Sequence, residues 1–122
     1  MKRALIVDDD PMIVKLQSMI LTKAGYEIDT AANGREGIDR AAQGTPDVVL
    51  LDVMMPGLDG LEVTRQLKAD PRTSAIPVVL VSARTGSEDV AAGRAAGASD
   101  YLRKPFDPDD LIALLDRLVS QD

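Results

Sequence analysis

Three unbroken apolar runs, ALIV at 4–7, VVLL at 48–51 and VVLV at 78–81, restrict this chain more than any other feature. Each is too short for a helix and lacks the alternation of a strand with one wet face. Continuous apolar character is what a strand covered on both faces requires. Between the runs lie segments of helical period. Residues 12–24 place Ile13, Leu16 and Ile20 on one face, with Gly25 as the stop. Asn33 and Glu36 stand at capping-box spacing ahead of a helix over 34–44, and Asp59 and Glu62 repeat that spacing before a helix near 60–70. Asp107, followed by Pro108 and Asp110, opens a last helix carrying Leu111, Leu115 and Leu118. Two weaker strands, EIDTA at 27–31 and SDYLR at 99–103, complete five strand–helix units in order. That alternation predicts an α/β fold: a parallel sheet with right-handed crossovers and helices on both faces. No repeat, low-complexity tract or linker interrupts it, so one domain is expected over residues 1–122.

The helix expected at 87–96, SEDVAAGRAA, differs from the rest. Val90 is its only large apolar residue, and Gly93 costs it about 1 kcal/mol against Ala. It should bury little, either as an Ala-rich helix packed closely on the sheet or as a segment loose enough to move.

In an open parallel sheet, ligands bind beyond the carboxyl ends of the strands. Here the first strand ends in Asp8-Asp9, the third in Asp52 and the fourth in Ser82, and the fifth stops just before Lys104. Any one of these is an ordinary turn or cap residue. Together they gather on one edge. Carboxylates about 4 Å apart repel by roughly 4 kcal/mol per pair at an effective dielectric near 20. Asp8, Asp9 and Asp52 therefore need protonation or a cation, and one lysine does not offset three acids. The chain has no cysteine and no histidine, which excludes disulfides, thiolate chemistry, Cys-based zinc sites and catalytic triads, and removes the commonest transition-metal ligand. A metal must be held by oxygen, as magnesium, calcium or manganese can be. Magnesium keeps several waters and takes one or two carboxylates plus a phosphate oxygen. The set thus suits a phosphoryl group, with Asp52 as nucleophile forming an aspartyl phosphate, Lys104 pairing with one oxygen and Ser82 donating to another. A net charge of −6 disfavours nucleic acid binding through phosphates. The apolar run in MKRALIVDDDP is too short for a signal peptide or membrane span, which makes cytoplasmic the default location.

The stretches LIVDDDP, LLDVMMPGLDG, VVLVSA and DYLRKPF, in that order along the whole chain, resemble the receiver domain of two-component response regulators. The resemblance implies a flavodoxin-like (βα)5 fold with strand order 2-1-3-4-5. It implies Asp52 as phosphoacceptor, Asp9 as direct Mg2+ ligand, Asp8 as its partner through water, and Met54 as donor of a backbone carbonyl to the metal. It further implies Lys104 as the phosphoryl-binding lysine, Ser82 as the hydroxyl that follows the phosphate, and Tyr101 as the aromatic that swings inward. Pro105 matches a position preceded by a cis peptide. The donor would be a phosphohistidine on a sensor histidine kinase or a phosphotransfer protein. The output would be a downstream effector or an attached domain, addressed through the face of the fourth helix, fifth strand and fifth helix, with no direct nucleic acid or membrane partner. Such a domain is a signalling module whose chemistry stops at self-phosphorylation and autodephosphorylation. An aspartyl phosphate brings roughly −1.5 to −2 charge, which Ser82 would follow while Tyr101 fills the vacated space.

Met54 and Arg84 flank the site at positions that vary among receivers; Arg84 could hold a phosphoryl oxygen or contact a partner. Leu114 stands where receivers fused to winged-helix DNA-binding domains carry arginine, which weakens the case for their charged dimer interface. A single-domain module is favoured over a receiver excised from a larger regulator. Two rivals have less support. LIVDDDP also fits a haloacid-dehalogenase-type phosphatase, with Asp8 as nucleophile and Asp10 as general acid, but that reading leaves Asp52 idle and the chain short of a cap. A flavodoxin-like electron carrier needs a hydroxyl-rich phosphate loop where this chain has DDDP, and its aromatics are limited to Tyr26, Tyr101 and Phe106.

Overall fold

The three apolar runs are the central strands of one sheet. The computed structural model describes residues 2–119. Along them run β1 (Arg3–Val7), α1 (Pro11–Lys23), β2 (Glu27–Ala31), α2 (Gly34–Gly44), β3 (Val48–Asp52), α3 (Gly60–Ala69), β4 (Val78–Ser82), α4 (Ser87–Ala96), β5 (Asp100–Arg103) and α5 (Pro108–Val119). The sheet has the order β2-β1-β3-β4-β5, and every pairing is parallel. Val7 lies beside Ala31 and Leu51, Asp52 beside Val81, and Ser82 beside Arg103, so all five carboxyl ends share one edge. β1 is flanked by β2 on one side and β3 on the other, which makes its end the point where strand order reverses.

The unbroken apolar runs are explained by cover on both faces. Leu5, Val7, Val49, Leu51, Val78 and Leu80 pack toward Ala41 of α2 and Val63 and Leu67 of α3. The alternate residues Ala4, Ile6, Val48, Leu50, Val79 and Val81 pack toward Leu21 of α1 and Leu111, Leu114 and Leu115 of α5. Each valine, leucine or isoleucine among them contributes about 1.5–3 kcal/mol when fully buried. The buried residues of α4 are Gly93 and Ala96 alone, in line with its sparse apolar content.

Capping explains the helix starts. Asp10 accepts from the Met12 N–H at 2.9 Å, Asn33 from Glu36 at 2.9 Å, and Asp59 from Glu62 at 2.9 Å. The returning half of the box differs from expectation. Glu36 accepts from the Ala32 N–H, one residue before the cap, while Glu62 turns to Arg65 and Gln66 on its own helix. Exposed carboxylates choose among several donors of similar worth, so spacing alone does not select one.

α1 corrects another expectation. Its buried residues are Gln17 and Leu21, with Val14 and Ile20 packed against the same core, so of the expected face of Ile13, Leu16 and Ile20 only Ile20 meets the core and Leu16 turns outward. Leu16 is 53% exposed, beside Met12 at 79% and Met19 at 58%. Apolar residues spread over more than one face of this helix, so periodicity does not choose between them. Ile13 and Leu16, with Ile20 beside them, line a groove of about 400 Å³ with Pro105 and Phe106.

A buried tyrosine ties α5 to the opposite edge. Tyr26 is 3% exposed, and its phenol donates to Asp116 at 2.7 Å. Lys2 donates to the same carboxylate at 3.1 Å. Burial, then the Asp116 carboxylate, holds the phenol well above its usual titration range. Tyr26→Phe removes one hydrogen bond to a charged group and is expected to cost about 1.5–3 kcal/mol, read as a lower urea midpoint at unchanged slope.

Candidate functional site

Asp8 follows β1 directly, Asp52 is the last residue of β3, and Lys104 follows β5. Carboxylate oxygens of Asp8, Asp9 and Asp52 all lie within 4.8 Å of one another. Asp8 is 3% exposed and Asp52 8%, whereas Asp9 faces solvent. The Lys104 ammonium sits 3.3 Å from Asp8 Oδ2 and 3.3 Å from Asp52 Oδ1. Backbone donors add to this: the Asp10 N–H reaches Asp8 Oδ1 at 2.9 Å, and the Met54 N–H reaches Asp52 Oδ1 at 3.4 Å.

At such separations each carboxylate pair repels by roughly 3.5 kcal/mol or more with an effective dielectric near 20. Lys104 neutralises one of three acids and leaves a local charge of −2. Asp52 carries the consequence. Burial first, then the Asp8 charge, pushes its carboxyl above the usual carboxylate range, against Lys104 and the Met54 N–H, which pull it down. The donors are hard oxygens only, and Asp9 leaves one side open to water. That set fits magnesium, which prefers few carboxylates and keeps its waters.

Ser82 and Tyr101 belong to an adjoining arrangement. Ser82 is 1% exposed, and its Oγ accepts from the Arg84 N–H at 3.0 Å. The carbonyl of that same Arg84 accepts from the Tyr101 phenol at 2.6 Å. Among the described residues, no hydrogen bond joins Ser82 or Tyr101 to Asp52 directly. Tyr101 is half-buried and lines a cavity of about 540 Å³ with Met54, Met55, Arg84 and Ala92. Asp10 lies apart from the cluster of acids as the cap of α1, and the peptide between Lys104 and Pro105 is cis.

The sequence reading passes over Gly60. Its N–H donates to the Val53 carbonyl at 2.9 Å, closing the loop that follows Asp52. A Cβ there would run into the Asp52 carbonyl oxygen and stand 2.8 Å from Val53 Cα. α3 therefore starts hard against the strand that ends in Asp52. The only trace in the sequence is a glycine directly after the Asp59 cap, which a turn would explain equally well.

Known proteins are similar to this chain in sequence and fold. Residues 4–116 match the family model of the response regulator receiver domain. Protein PilH of Pseudomonas aeruginosa is 42% identical over 120 residues, covering 98% of this chain and 99% of PilH. Response regulator PleD of Caulobacter vibrioides is 50% identical over 105 residues, 86% of this chain but 23% of PleD. The crystal structure of the Vibrio cholerae chemotaxis protein CheY4 superposes with a TM-score of 0.92 at 36% identity, covering 97% of this chain and 98% of that one. Among the described residues, no helix is long and apolar enough to cross a membrane. A family match over residues 4–116, a fold that superposes on CheY4 and an acidic cluster at the reversal point lead to one assignment: the chain belongs to the receiver domain family of two-component response regulators.

Proposed function

We propose that this chain receives a phosphoryl group on Asp52 from a phosphohistidine of a kinase or phosphotransfer protein, and passes the change to the face formed by α4, β5 and α5. The observation that carries the reading is the placement of buried Asp52 beside two further acids, with one lysine bridging it to Asp8. An Asp52 carboxylate oxygen attacks phosphorus, the bond from phosphorus to the donor imidazole breaks, and the nitrogen keeps the electron pair. Lys104 pairs with a phosphoryl oxygen, and Ser82 donates its hydroxyl to another. Asp9, Asp8, Asp52 and the Met54 carbonyl would hold Mg2+, which neutralises charge on the transferring oxygens. The chain has no histidine, so the donor lies outside these 122 residues. The exposed apolar flank of α1, with Met12, Leu16 and Met19, starts beside the acids and gives a protein donor a footing. The output would be an effector protein or an attached domain, and the expected compartment is the cytoplasm. The role of Asp10 as cap argues against the phosphatase alternative, which would need it as general acid.

Incubation with a small phosphodonor and magnesium, followed by intact-mass measurement, tests the reading. One added phosphoryl group is expected, and none when the metal is chelated. Label on Asp8 instead of Asp52 would favour the phosphatase. Magnesium binding is expected to stabilise the fold by about 2.7 kcal/mol at a hundred times its dissociation constant. Asp9→Asn should remove most of that gain, read as a melting temperature that no longer rises with magnesium.

A further inference from the structure

We propose that Gly93 is the positioning residue that seats the Tyr101 ring, so that α4 and the phosphoryl site are coupled through one missing side chain; the inference rests on the reading of Ser82 and Tyr101 given above. Four contacts carry it. Arg84 holds Ser82 through its N–H at 3.0 Å and Tyr101 through its carbonyl at 2.6 Å, so one residue's backbone links the two side chains. The Tyr101 ring in turn lies against α4 where that helix has no Cβ. A Cβ on Gly93 would stand 2.9 Å from Tyr101 Cδ2 and 3.0 Å from Leu80 Cδ1. Neither neighbour yields easily: Leu80 is fully buried in the core, and the ring is tethered at its far end by its own hydrogen bond.

The composition of α4 agrees. Ala91, Ala92, Ala95 and Ala96 fill the helix, and glycine interrupts them at the position in contact with the ring. Helix propensity alone favours alanine there. A methyl at 93 must displace the ring and the Leu80 side chain, straining the ring's bond to Arg84, or lift α4 from the sheet. α4 has little to resist with, since Gly93 and Ala96 are its buried residues. The ring has somewhere to go, because it already lines the cavity of about 540 Å³.

A thermal cycle on the full chain with Gly93→Ala, Tyr101→Ala and the double variant tests the contact. Gly93→Ala alone is expected to lower the melting temperature, and to lower it clearly less in the Tyr101→Ala background, where the ring is gone and the Leu80 contact remains. A rise in the parent background, or an equal fall in both, would overturn the proposal. The coupling is read by fluorine NMR of fluorotyrosine-labelled protein with beryllofluoride and magnesium as the probe. The Tyr101 resonance should shift on adding the probe to the parent chain. In Gly93→Ala it should already be displaced and should not respond, although the backbone amide of Asp52 still reports probe binding. An unchanged Tyr101 response in that variant would also overturn it. Failure of the parent chain to bind the probe would count against the phosphoryl reading instead, and the thermal cycle would still decide the contact.

Discussion

Asp52→Asn is expected to abolish covalent phosphate on this chain and, in magnesium-free buffer near neutral pH, to make the fold more stable. The first effect is the larger: labelling should fall by at least about a hundredfold, because the attacking carboxylate oxygen itself is replaced by an amide. The second follows from burial. The folded protein holds the Asp52 proton more tightly than the unfolded chain does, since desolvation and the Asp8 charge raise its pKa. Between the unfolded value and the raised folded value, the native state binds more protons, so stability falls as pH rises through that window. At neutral pH the ionised carboxylate opposes folding, and Asn removes the opposition while keeping the shape. Urea unfolding of both proteins from acid to neutral pH checks the sign. The parent midpoint should drop across the window relative to Asp52→Asn, and magnesium should narrow or reverse the gap. A variant less stable than the parent at neutral pH without metal would contradict the charge balance argued here.

Gly60→Ala is expected to cost about 3 kcal/mol, which for a chain of this size lowers the melting temperature by roughly 10 °C. The methyl would meet the Asp52 carbonyl and Val53 Cα, both main-chain atoms of or next to β3. A side chain can rotate away, but a strand in the middle of a sheet cannot, so either α3 lifts or the end of β3 shifts. Both outcomes disturb Asp52, and phosphorylation should slow with the loss of stability. Gly44→Ala is the control: nothing lies within 4 Å of a Cβ there, and α2 ends at that residue. It should change the melting temperature little. Equal effects at the two glycines would show that α3 is not held against the strand as described.

Much of this molecule is readable from local pattern. Strands β1, β3 and β4 are legible because cover on both faces leaves only apolar residues, and that property is written in four consecutive letters. Their ends are legible too, since the first polar or charged residue after each apolar run marks the end of the strand. Asp8, Asp9, Asp52 and Lys104 can therefore be expected on one edge before any coordinate is known. Caps at Asn33, Asp59 and Asp107 are equally local, involving groups two or three residues apart.

Contacts that leave no mark on residue identity are decided by the tertiary structure alone. The face of α1 that turns inward is set by which side the sheet occupies, and a helix apolar on more than one face does not announce it. The phenol of Tyr101 bonds to the carbonyl of Arg84, and any residue at 84 would offer that carbonyl. Gly60 and Gly93 read in isolation as a turn and a helix defect; only the approach of Asp52 and of the Tyr101 ring shows that both are spaces kept empty. Sequence determines which side chains are offered to the strand ends, because burial and charge are properties of the residues themselves. The fold decides what backbone and what empty space they meet, because every residue carries the same main chain and a glycine does not say what fills the place of its missing side chain.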